Sequence, residues 1–67
     1  MDITNWLTEN GMTQMDLSRL LKVSHPAVSY WCNGITRPSP KMAKTIAQLT
    51  KGQVTANDFQ RAWEKRQ

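Results

Sequence analysis

Three residues, Lys22-Val23-Ser24, are all that separate two helical patterns in this chain. A connection that short forces the flanking helices to cross at a steep angle, and this constrains the fold more than any other feature of the sequence. Before the gap, Leu17, Leu20 and Leu21 supply the buried stripe of a helix over 14–21. Thr13 with Asp16 three places on resembles a capping box at its start. After the gap, Ser24 is a good N-cap for a helix over 25–33, and Pro26 suits its first turn, where an amide has no intrahelical partner to lose. Asn33-Gly34 closes it.

The second of these helices carries Tyr30 beside Trp31. Adjacent residues on a helix lie about 100° apart, so the two rings cannot both enter one core. Val28 and Trp31 share the i, i+3 spacing of an inward face, which places Trp31 inside. Leu17, Leu21, Val23, Val28 and Trp31 are the expected buried set, with the small Ser18 where the helices approach. Ser24, His25, Ser29 and Tyr30 are left on the opposite face.

The same punctuation organises the rest. Ile3, Trp6 and Leu7 predict a short amphipathic helix over 2–9, ended by Asn10-Gly11. Ser39-Pro40 repeats the cap-then-proline start, and Met42, Ala43, Ile46, Ala47 and Leu49 mark a fourth helix that Gly52 ends. Thr55 with Asp58 again resembles a capping box, before Phe59, Ala62 and Trp63 on a fifth helix over 56–64. Val54-Thr55 has some strand preference, so a short strand or hairpin within 53–67 is the alternative there. The expected architecture is a single all-α domain over 1–67, a compact bundle of five short helices. Trp6, Trp31 and Trp63 are expected in its core, with Trp63 or Phe59 alternatively in a dimer interface.

Charge is distributed unevenly. No acidic residue lies between Asp16 and Asp58, whereas Arg19, Lys22, Arg37, Lys41, Lys44 and Lys51 all fall there, within a net charge of +4. Such a block suggests one positively charged face, against the plainer reading of a solvated surface. Lys51, Arg61, Lys65 and Arg66 are expected to be only solvated. One cysteine and no signal-like apolar segment point to a reducing cytoplasm, and no stretch is apolar enough for a membrane span.

Catalysis is disfavoured, because one histidine, one cysteine and five scattered acids form neither a nucleophile-base set nor a carboxylate pair. His25 and Cys32 are too few for a metal site, so no metal, cofactor or small-molecule substrate is expected. Cys32 reads as a surface or half-buried thiol. An outward face bearing hydroxyl, imidazole and phenol is suited to base edges in a DNA major groove, with Pro26 or Ala27 able to touch a thymine methyl.

Gln14, Leu17, Ser18, Leu21, Val23, Ser24, Pro26, Ala27, Val28, Ser29, Trp31, Asn33 and Gly34 together resemble the helix-turn-helix of the lambda-repressor-like superfamily. The likeness spans about residues 3–51. The small size is similar to that of the phage Cro proteins, and the Lys51-to-Thr55 run to Cro-like regulators of prophages, some of them antitoxin-like.

The resemblance implies a double-stranded-DNA-binding repressor whose third helix reads a palindromic operator. His25 and Pro26 take the first base-reading positions, joined by Ala27, and Ser29 and Tyr30 the later ones. Gln14, Ser24, Asn33, Arg37 and Lys41 are the expected phosphate contacts. A single small module covers little DNA, so a homodimer on the operator is expected, with helix 5 as its interface. The alternative is an antitoxin-like protein-binding module, which a hydrophobic groove on helices 1 and 5 would favour. The pattern departs at Lys22, where such turns often hold glycine. A lysine with φ > 0 there costs about 1 kcal/mol.

Overall fold

A computed structural model describes all 67 residues and contains five helices: α1 Ile3–Glu9, α2 Gln14–Leu21, α3 His25–Cys32, α4 Pro40–Leu49 and α5 Ala56–Arg66. Each begins behind a residue with extended backbone, Asp2, Thr13, Ser24, Ser39 and Thr55. Side-chain oxygens satisfy amides that a first turn leaves without helical partners. The backbone N–H of Asn5 donates to Asp2 at 2.8 Å, that of Asp16 to the Thr13 hydroxyl at 3.1 Å, and that of Met42 to Ser39 at 3.2 Å. The Thr13 N–H donates in return to the Asp16 carboxylate at 3.0 Å, completing the capping box and holding that carboxyl below its usual range. At α5 the Thr55 N–H and hydroxyl both donate to the Asp58 carboxylate, at 2.9 and 3.2 Å.

Four of the five helices end in one way. A residue with positive φ, Gly11, Lys22, Gly34 or Lys51, turns the chain out of α1, α2, α3 and α4 respectively. The next amide then reaches back five residues, Met12 to Leu7 at 2.9 Å, Val23 to Ser18 at 3.0 Å, Ile35 to Tyr30 at 2.9 Å and Gly52 to Ala47 at 2.7 Å. This is the Schellman closure, which satisfies the last carbonyls of a helix. Lys22, at φ 58° and ψ 42°, occupies the left-handed region that the sequence made conditional. At α4 the left-handed residue next to the helix is Lys51, one place before the expected Gly52.

All five helices contribute to one apolar cluster of Ile3, Trp6, Leu7, Leu17, Val28, Trp31, Ile46 and Phe59, joined by Val54 from the last connection. Leu21, Val23, Ala27 and Met42 pack against it while partly buried. Ser18 is buried in α2, its hydroxyl donating to the Met15 carbonyl at 2.7 Å. Trp31 and Phe59 meet edge to face with centroids 6.3 Å apart, joining α3 to α5.

Several expectations are corrected. Leu20 is 56% exposed, because the buried Leu17 and Ser18 turn the inward face of α2 toward Leu21 and away from position 20. Leu49 is exposed, and Thr50, which caps α4, is buried instead. Trp63 is half-buried and outside the core, since Phe59 is the one residue of α5 that is fully buried. The strand alternative does not occur, and α5 runs two residues further than the pattern predicted. Asp2 caps α1 and lies outside it, and Asn33 likewise follows the end of α3.

Thr50 is the buried polar group at the base of the bundle. Its hydroxyl donates to the Ile46 carbonyl at 2.9 Å and accepts the Val54 N–H at 3.0 Å, tying the end of α4 to the connection before α5. Thr50→Val keeps the shape and leaves that amide without a partner, so we expect a loss of about 1 to 3 kcal/mol in urea unfolding. Unchanged stability would mean that the Val54 amide finds another partner.

Candidate functional site

The packing between α2 and α3 determines what α3 displays. On a helix turning 100° per residue, Ala27, Val28 and Trp31 share one side, and Val28 and Trp31 are buried there. The other side presents His25, Pro26 and Tyr30, all exposed, with Ser29 half-buried among them. Trp31 is 8% exposed and its neighbour Tyr30 46%, so the indole faces inward and the phenol outward. Ala27 is half-buried against the core, which limits what it offers a ligand to a part of its methyl surface.

The ends of α3 are fixed by side chains. Ser24 accepts the Ala27 N–H at 3.3 Å on its side chain and the Val28 N–H at 3.4 Å on its carbonyl, capping the helix at the end that carries His25. Pro26, with no N–H of its own, fixes the backbone of that first turn. At the far end the Asn33 side-chain amide donates to the Ser29 carbonyl at 2.8 Å. Asn33 is exposed, and its donors are partly engaged by the helix it follows.

The expected phosphate contacts come from separate segments. Gln14 is the first residue of α2 and half-buried, and Ser24 precedes α3. Arg37 lies in the connection between α3 and α4, and Lys41 in the first turn of α4, both exposed. The central cations Arg19, Lys22, Arg37, Lys41, Lys44 and Lys51 are all exposed, and none is ion-paired to a carboxylate.

Arg37 differs from the others in being held. Its guanidinium carbon stands 4.3 Å from the centroid of the Trp63 ring, and one of its nitrogens donates to the Gln60 side-chain oxygen. Nothing local in the sequence signals this arrangement, because the partners lie on α5, a whole helix away along the chain.

Cys32, the last residue of α3, is half-buried, and burial first of all pushes its thiol above the usual range. Such a thiol is a weak nucleophile. No group of three or more His, Cys, Asp or Glu side chains is arranged to hold a metal ion. No helix is long and apolar enough to cross a membrane.

In comparisons with known proteins, the helix-turn-helix family matches residues 3–55. The matched segment contains α1 to α4 and stops at the cap of α5. No curated protein and no solved structure matches the chain.

Proposed function

Because the chain belongs to the helix-turn-helix family, in the lambda-repressor-like superfamily of non-catalytic DNA-binding modules, we propose that it is a sequence-specific transcriptional repressor of the phage or prophage Cro type. It is not an enzyme. In this reading α3 enters the major groove of a palindromic operator, and repression follows from excluding polymerase from promoter DNA.

The observation that carries the reading is the opposed orientation of two neighbouring rings, Trp31 inward and Tyr30 outward beside His25. That arrangement gives the outer face of α3 two hydrogen-bonding side chains on a backbone fixed by the core. His25, Pro26, Ala27, Ser29 and Tyr30 read bases in this assignment. Pro26 and Ala27 do so by shape, the others by hydrogen bonds. Gln14, Ser24, Asn33, Arg37 and Lys41 hold phosphates and set the register of the helix. Two copies bind together, because one module of this size covers too little DNA for high affinity.

Between α1 and α5 the surface does not offer the apolar groove that a protein-binding role would use there. The cleft beside the start of α1 and the side of α5 is mainly polar, with Asp2, Asn33, Asp58, Arg61 and Lys65 outnumbering the apolar Met1, Cys32 and Ala62. The apolar residues of α5 are engaged within the fold, Phe59 in the core and Trp63 under Arg37, so the dimer surface need not be on that helix.

Selection of binding sites from random duplex DNA tests the proposal. We expect a palindrome with half-sites about one helical turn apart. Affinity should fall on the order of 10²-fold between about 50 and 200 mM salt. His25→Ala and Tyr30→Ala should each lose about 1 to 3 kcal/mol of discrimination while melting like the parent. Selection of the parent's sites by both variants would remove these two residues from the reading face.

A further inference from the structure

We propose that α5 presets Arg37 for DNA binding: Trp63 and Gln60 hold its guanidinium in place before the phosphate arrives, which makes Trp63 a positioning residue. The inference rests on the reading of Arg37 as a phosphate contact. It goes beyond it because the holding residues lie outside the segment that matches the family.

The geometry separates holding from binding. An arginine stacked on a ring uses the face of its guanidinium, and its five N–H donors lie in the plane around the edge. The guanidinium carbon of Arg37 lies over the Trp63 ring, 4.3 Å from its centroid, and one edge nitrogen donates to Gln60. The remaining donors stay available, in the fork that matches a phosphate. Gln60 is itself oriented, since its amide nitrogen donates to Glu64 at 2.9 Å and so turns its oxygen toward Arg37. No carboxylate pairs with Arg37 directly, so its charge is not neutralised.

The exposed lysines of the central block have no ion pair or ring contact of this kind. A long side chain ordered only on binding reduces affinity by a factor of about two to ten, and a side chain already in place avoids most of that loss.

A double-mutant cycle on binding to a mixed-sequence duplex at low salt tests this, with melting followed in parallel. We expect Trp63→Leu to bind about two- to ten-fold more weakly than the parent. In an Arg37→Ala background the same change should have no further effect, and Trp63→Phe, which keeps a ring face, should recover part of the loss. Gln60→Ala supplies a second route through the same cycle if Trp63→Leu does not fold. Parent-like binding by Trp63→Leu, or an equal loss with and without Arg37, would overturn the inference while leaving the DNA-binding reading intact. Absence of duplex binding by the parent would instead overturn that reading and this inference with it.

Discussion

Trp31→Ala is expected to destabilise the fold by about 3 to 5 kcal/mol, the cost of truncating a large buried aromatic. The indole is packed among Val28, Leu17 and Phe59, and its edge-to-face contact with Phe59 is a direct link between α3 and α5. Domains hold roughly 0.05 to 0.15 kcal/mol per residue, so a chain this short has little in reserve. The loss therefore takes a large share of the roughly 3 to 10 kcal/mol such a chain holds, and the variant should unfold at a much lower urea midpoint. The neighbouring Tyr30→Ala should change stability by no more than about 0.5 kcal/mol, as exposed positions usually do. Urea unfolding of the pair is the measurement. Equal losses from the two substitutions would contradict the inward indole and, with it, the face assigned to DNA.

Helix starts were the most legible part of the fold, because a cap acts through the chain immediately around it. Thr13, Ser24, Ser39 and Thr55 each precede the helix that their side chains and neighbours predict. Helix ends were less legible. Gly11 and Gly34 advertise a left-handed residue, whereas Lys22 and Lys51 adopt the same conformation with no signal in their residue type. For Lys51 the glycine beside it drew the boundary one place too far. Burial was legible only where one stripe dominated. The buried Ser18 follows the expectation of a close helix approach, but beside it Leu20 is displaced to solvent, and at the end of α4 the cap residue Thr50 faces inward while Leu49 is displaced. Counting apolar residues cannot detect that exchange, since it depends on which neighbour approaches the helix.

The same division separates the parts of the candidate site. The outward placement of His25, Pro26 and Tyr30 follows from helical geometry once Val28 and Trp31 are assigned inward, so periodicity sufficed. Arg37 was legible as a charge in the right region, but not as a side chain stacked on Trp63, because that contact exists only after α5 has folded back. Trp63 departs from the expected core position for the same reason. Its spacing from Phe59 matches an inward stripe, yet the core does not extend that far along α5, and the ring meets a cation at the surface instead.

Gly34→Ala is the second substitution with a large expected effect, and a comparison with Gly11→Ala isolates its cause. Both glycines have positive φ, 63° at Gly11 and 71° at Gly34, and both close a helix. An alanine at either must adopt a left-handed conformation that costs about 1 to 2 kcal/mol. At Gly11 that is the whole cost, because an added Cβ meets nothing within 4 Å. At Gly34 the Cβ falls 2.4 Å from the Ala62 carbonyl oxygen and 2.9 Å from its carbon. Those atoms are backbone of α5, so relief requires moving the helix, and forced overpacking of this kind adds about 1 to 3 kcal/mol. We expect Gly34→Ala to cost about 2 to 5 kcal/mol by urea unfolding and Gly11→Ala no more than about 2. The displacement should also register beyond stability, since α5 carries Trp63 and Gln60. Indole fluorescence should shift in the still-folded fraction of Gly34→Ala and not in Gly11→Ala. Equal costs at the two positions would show that α5 is not pressed against the end of α3, and the support it gives to Arg37 would lose its structural basis.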